Sequence, residues 1–148
     1  MSPGVNVESI SDALHLDGQT GIWRADADAA GPIGYPTDHN DACFRLEDGS
    51  FWFTHRNQCL ITAVRRFPPD GFILHVGGGN GFVARGLIDA GYETVLLEPG
   101  GDGARNARES RQLPTVINAT IEAAAIRPGS VPNVGLFDVL EHIEDDRA

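Results

Sequence analysis

The stretch FILHVGGGNGFVARGLIDAG, residues 72–91, decides the fold. Residues 72–76 are a short, mostly apolar run of the kind expected for a strand buried in a parallel sheet. Gly77, Gly78, Gly79, Asn80 and Gly81 follow at once. Glycine has no side chain to obstruct a ligand and tolerates positive φ, so a strand that ends in glycines and feeds a helix lets the backbone pass close to a bound molecule. Val83, Leu87 and Ile88 then supply an apolar stripe at helical spacing, and Gly91 stands where a left-handed cap ends a helix.

Outward from this core, residues 94–97 (TVLL) read as a second strand closed by Glu98-Pro99-Gly100, and residues 115–117 as a third. Residues 134–137 form a fourth, leading into DVLEH at 138–142. Between the second and third, residues 103–112 read as a polar surface helix on which Arg105, Arg108 and Arg111 make a solvated face. Upstream, Ser50 is a good N-cap, and Phe53, Leu60, Ile61, Val64 and Phe67 fall on one helical face before Pro68-Pro69 stops the run. The alternation of strand and helix predicts an α/β fold, a Rossmann-like parallel sheet with flanking helices and right-handed crossovers. Residues 1–49 are rich in Gly, Pro and Asp without sustained periodicity; they are expected to be an irregular cap of loops and short turns, followed by the sheet-building unit 50–148.

Composition bounds the function. With 148 residues, 41% hydrophobic and 22% charged, the chain suits one ordinary domain. A net charge of -10 argues against nucleic acid as a partner, because phosphate backbones are bound through basic patches. No apolar stretch approaches the ~20 residues of a membrane span, and MSPGVNVESISDALHLD lacks a basic-then-apolar leader pattern, so the expectation is a cytoplasmic protein without membrane contact. Cys43 and Cys59 have no paired spacing, which favours free thiols, and together with His39 they fit no zinc pattern.

The glycine spacing discriminates among nucleotide loops. A dinucleotide fingerprint GxGxxG starting at Gly77 needs glycine at position 82, which is Phe82. Starting at Gly79 it needs glycine at 84, and Ala84 is tolerated only in the relaxed form. GxGxG fits without compromise. Glu98 lies 21 positions after Gly77, close to the ~20 at which a carboxylate at the end of the next strand reaches a ribose diol. Each signal alone has a plainer reading, a tight turn and a solvated loop carboxylate; together they favour a nucleoside ligand.

On these residues the segment 72–100, with DVLEHIEDD at 138–146, resembles the class I S-adenosylmethionine-dependent methyltransferases, especially their small-molecule branches. The resemblance covers roughly residues 72–146. It implies S-adenosyl-L-methionine as cofactor, with Gly77, Gly78, Gly79, Asn80 and Gly81 passing beneath its ribose and methionine and Glu98 taking the ribose hydroxyls. Asn118, Ala119 and Thr120 would flank the adenine, and residues 138–142, beginning with Asp138, would face the methyl-transfer site. FWFTHRNQCL, residues 51–60, is similar to the lead-in helix that covers the pocket in some members, which would bring Trp52, His55, Arg56 and Asn57 to a lid, with Arg56 available for the cofactor carboxylate. Two features depart from the family. Where it usually has Asp, two residues before the first glycine, this chain has His75, which offers no fixed negative charge; cofactor affinity is therefore expected to fall below about pH 6.5. The family sheet has seven strands and the readable ones here number four, so a longer protein, a second chain or a homo-oligomer is expected to cover the open edge.

Methyl transfer needs alignment and water exclusion more than a covalent residue. Where an acceptor must lose a proton, His142 with Glu141 is the expected general base, against the plainer reading that His142 packs or starts a helix. The acceptor is expected to be a small molecule or a sugar-like hydroxyl. The competing readings are a non-catalytic cofactor-binding or interaction module and, disfavoured by Phe82, an NAD-dependent oxidoreductase.

Overall fold

The computed structural model describes residues 4–26 and 39–142, with side chains from residue 42 onward in the helix that starts at 39. In chain order the elements are β1 (Leu14–Asp17), β2 (Ile22–Ala25), α1 (His39–Glu47), α2 (Phe51–Arg66), β3 (Ile73–Val76), α3 (Phe82–Asp89), β4 (Thr94–Leu97), α4 (Gly101–Arg105), β5 (Val116–Asn118), α5 (Ile121–Ala124) and β6 (Asn133–Leu136). A 3-10 turn, Val7–Ser9, precedes β1; α4 runs on into a π turn, Asn106–Ser110; and a 3-10 turn, Leu140–His142, follows β6.

The strands form one six-stranded sheet in the order β1-β2-β5-β4-β3-β6, in which only the β1–β2 pair is antiparallel. The architecture is therefore α/β, a mostly parallel sheet with flanking helices, compatible with a Rossmann-like fold. The apolar runs at 72–76, 94–97, 115–117 and 134–137 correspond to β3, β4, β5 and β6.

Strand pleating explains the core. Alternate residues point to opposite faces, so Leu74, Val95 and Ile117 pack with Val7, Ile10, Leu14 and Ala124 on one face. On the other, Leu96 and Val116 meet Ile22, Ala84, Ala107 and Leu113, while Ile73 meets Val83 and Leu87. The stripe of α2 arrives there through Leu60, Ile61 and Val64. Its close approach to α3 depends on Gly86, where a Cβ would lie 2.4 Å from Asn57 Nδ2.

Three expectations are corrected. The described part of 1–49 is not irregular throughout: β2 pairs in parallel with β5, Trp23 opposite Ile117, and residues 39–47 are helical. The hairpin is tied at its turn by Asp17, which accepts from Gln19 N at 2.9 Å and from the Thr20 hydroxyl at 2.8 Å. Phe67 does not share the buried face of α2, because the helix ends at Arg66 and the backbone turns away, leaving that ring 79% exposed. The three arginines do not share a solvated face: Arg105 is 57% exposed, but Arg108 donates to Leu113 O at 2.8 Å, and the Arg111 side chain is only 10% exposed.

Candidate functional site

The carboxyl ends of β3 and β4 point the same way, and ligands of open parallel sheets bind outside such ends. Gly77, Gly79 and Gly81 have φ of 65°, 55° and 79°, conformations that favour glycine. Gly78 is required for a different reason: a Cβ there would lie 2.2 Å from Leu96 Cδ1 and 2.8 Å from the His75 ring. The loop thus rests directly on a leucine and an imidazole, and Gly81 begins α3.

Glu98 holds the loop to β4. Its Oε2 accepts from Gly79 N and its Oε1 from Gly100 N, both at 2.7 Å. The residue is buried, 6% exposed. Asn118 Nδ2 donates to Glu98 O at 2.9 Å and to Pro99 O at 3.0 Å, while its Oδ1 accepts from Arg24 Nη1 at 2.8 Å. Thr120 caps α5 by accepting from Ala123 N at 3.1 Å, and Ala119 is buried between them.

Beside the loop opens a cleft of about 130 Å³, bordered by His75, Asn80, Glu47, Phe53, Arg56 and Asp138. Its floor is unusual. His75 is 1% exposed, and among the described residues neither ring nitrogen has a hydrogen-bond partner. Burial, reinforced by the positive charge of Arg56, lowers its pKa to about 4. The expectation that it titrates near 6.5 is thereby corrected: the imidazole stays neutral through the mildly acidic range. At the rim, Arg56 is ion-paired with Asp138, whose φ of 58° is rare for a residue with a side chain.

A second network fastens α1 to the loop. Glu47 accepts from Arg111 Nη2 at 2.9 Å and from Asn80 Nδ2 at 3.3 Å, and Asn106 Nδ2 donates to Asn80 Oδ1 at 3.0 Å. The Arg111 guanidinium lies between the rings of Phe44 and Phe82, 5.0 and 4.9 Å from their centroids. Sequence reasoning missed this group. Cys43 also borders the cleft, but burial and the nearby Glu47 carboxylate raise its thiol pKa, which disfavours a nucleophilic thiolate.

The structure brings the glycine loop, Asn80, His75, Glu98 and Asp138 together around one end of the sheet. Asn118, Ala119 and Thr120 stand at the end of the neighbouring strand. Glu141 and His142 lie on the exposed 3-10 turn after β6 and do not border the cleft. Residues 143–146 of the resembling segment fall outside the described residues. Among the described residues, no helix is long and apolar enough to cross a membrane, and no cluster of three His, Cys, Asp or Glu could hold a metal ion. No protein-family model matches the chain, and no curated protein matches it.

Proposed function

We propose that this chain is the S-adenosyl-L-methionine-binding part of a methyltransferase with a small-molecule or sugar-like acceptor. The observation that carries the reading is the pairing of three left-handed glycines after β3 with Glu98 after β4, joined by the bond from Gly79 N to the Glu98 carboxylate. In this reading the Glu98 carboxylate takes the ribose hydroxyls, and the loop backbone passes beneath the sugar.

The residues fit such a group. The cleft, at about 130 Å³, is smaller than the ~300 Å³ at which small-molecule pockets begin. It would take the amino-acid end only, with the nucleoside lying along the loop toward residues 118–120. The unpartnered His75 nitrogens, one donor and one acceptor in the neutral ring, suit a polar group entering there. Phe82, the first residue of α3, packs against Phe53 at 6.2 Å and under Arg111, so a bulky ring stands where a dinucleotide fingerprint needs glycine. A sulfonium nucleoside has no pyrophosphate to seat there.

When bound, the cofactor supplies a methyl group activated on sulfur. The protein's share is orientation and exclusion of water: Glu98 and the loop fix the nucleoside, His75, Arg56 and Phe53 wall the amino-acid end, and Asp138 borders the reacting side. For acceptors that must lose a proton, Glu141 and His142 remain the proposed base, brought in with the turn that carries them. The net charge of -10 supports a small acceptor over nucleic acid.

Thermal shift and calorimetry with S-adenosylmethionine, S-adenosylhomocysteine and NAD test the reading. Either sulfur nucleoside at 100 times its Kd should stabilise the fold by about 2.7 kcal/mol, and NAD should not. Stabilisation by NAD alone would favour an oxidoreductase, and stabilisation by none would refute cofactor binding by this chain.

A further inference from the structure

The cleft is lined by the Arg56 guanidinium, a neutral imidazole and two carboxylates, Glu47, which is paired with Arg111, and Asp138. Arg56 borders the cleft with its side chain 19% exposed, and its ion-pair partner is Asp138, 58% exposed. A carboxylate so open to water gains little from the pair. Its backbone is held at φ 58°, a left-handed conformation that Asp and Asn adopt more readily than most residues with a side chain. His75 lines the same cleft, and among the described residues neither of its buried ring nitrogens has a partner. Buried polar atoms of a native protein are nearly always satisfied, and exceptions call for a ligand or a bound water.

From this geometry we infer that Arg56 and His75 form a subsite for a ligand carboxylate, and that the Asp138 side chain is an internal stand-in for that carboxylate, displaced as the ligand enters. The guanidinium can donate two bonds to a carboxylate and the neutral imidazole one, so the incoming group satisfies both residues at once. Asp138 pairs with Arg56 and, among the described residues, leaves the His75 nitrogens without a partner. The exchange has a structural consequence, because Val139, next in the chain, packs over Gly77: a Cβ there would meet Val139 Cγ2 at 2.9 Å. Releasing Asp138 therefore frees the turn at 139–142 from the glycine loop, on the side where an acceptor would approach. This inference rests on the cofactor reading in naming the ligand, an α-amino-acid end, but not in assigning the subsite.

The test compares wild type, Asp138→Asn and Arg56→Gln by calorimetry with S-adenosylhomocysteine and with 5′-methylthioadenosine, which lacks the amino-acid end. Asn tolerates the left-handed backbone, so Asp138→Asn should fold. A stand-in that occupies the subsite about nine-tenths of the time weakens apparent affinity about tenfold. Asp138→Asn should accordingly bind S-adenosylhomocysteine about tenfold tighter, Arg56→Gln should bind it at least tenfold more weakly, and 5′-methylthioadenosine should be unaffected by either. Equal or weaker S-adenosylhomocysteine binding by Asp138→Asn, or equal shifts for both nucleosides, overturns the inference. If neither nucleoside binds wild type, the cofactor reading falls, and titration of L-methionine followed by amide NMR decides the subsite separately. Shifts at 138–142 that vanish in Arg56→Gln uphold it, and their absence in wild type overturns it.

Discussion

A buried imidazole without hydrogen-bond partners costs a fold about 1–3 kcal/mol for each unsatisfied nitrogen. Replacing His75 by Leu, close in volume and free of polar atoms, should therefore leave stability at pH 7.5 unchanged or raise it by about 1 kcal/mol, measured by urea unfolding. A loss beyond about 2 kcal/mol would show that the ring nitrogens are satisfied after all. The same residue sets a pH dependence. Its folded pKa of about 4 lies below the ordinary 6.5, so on acidification the unfolded chain takes up the proton first. Above about pH 6.5 the ring is neutral in both states and has no effect on the pH dependence; as pH falls the fold loses stability, by about 3 kcal/mol in all once below about pH 4. In His75→Leu that part of the acid sensitivity should vanish, so parallel stability curves for the two proteins between pH 7 and 4 would contradict the assignment. Gly78 tests the contact from above: Gly78→Ala pushes a methyl into Leu96 and His75 and should cost about 1–3 kcal/mol by the same measurement.

Between elements, the decisive contact is the one that fastens α1 to the sheet. Glu47 and Arg111 are 9% and 10% exposed as side chains, and removing one partner leaves the other charge buried alone. Arg111→Met should destabilise by about 3–5 kcal/mol, and adding Glu47→Gln should restore part of it, the difference giving their coupling in a double-mutant cycle. Additive losses would mean that the two charges do not act as a pair. Elements of this sort divide by how locally they are encoded. β3, β4, β5 and β6 were legible because each is an apolar run with its turn residues alongside, and the glycine loop because its backbone demands glycine in place. The Glu47–Arg111 pair was not, since its members are 64 residues apart and each alone reads as surface charge. Nor was the hairpin: Leu14 and Ile22 stand in short runs broken by His15, Asp17 and Arg24, and their burial comes from strands far along the chain. At the site, Glu98 was legible by its distance from the glycines, whereas the Arg56–Asp138 pair and the unpartnered state of His75 depend on how α2, β3 and the segment after β6 converge.

For the molecule as a whole, a charge of -10 on 148 residues means net self-repulsion. Raising NaCl from 20 to 200 mM shortens the screening length from tens of ångströms to under ~10 Å and should raise the melting temperature by a few degrees; a fall would show that attractive pairs dominate. The sheet also joins distant parts of the chain: β2 lies beside β5, and Arg24 reaches Asn118 across 94 residues. Ile22→Ala, at 1% exposure, should accordingly cost about 2–5 kcal/mol despite its place near the amino terminus. That pairing also governs how the chain can mature on the ribosome. At ~5–20 residues per second, the hairpin leaves the exit tunnel roughly 5–20 s before β5, the strand that accepts it. During that interval the side chains of Leu14 and Ile22 wait in water or on a chaperone, and the nascent chain is open to misassembly until β5 arrives to close the sheet.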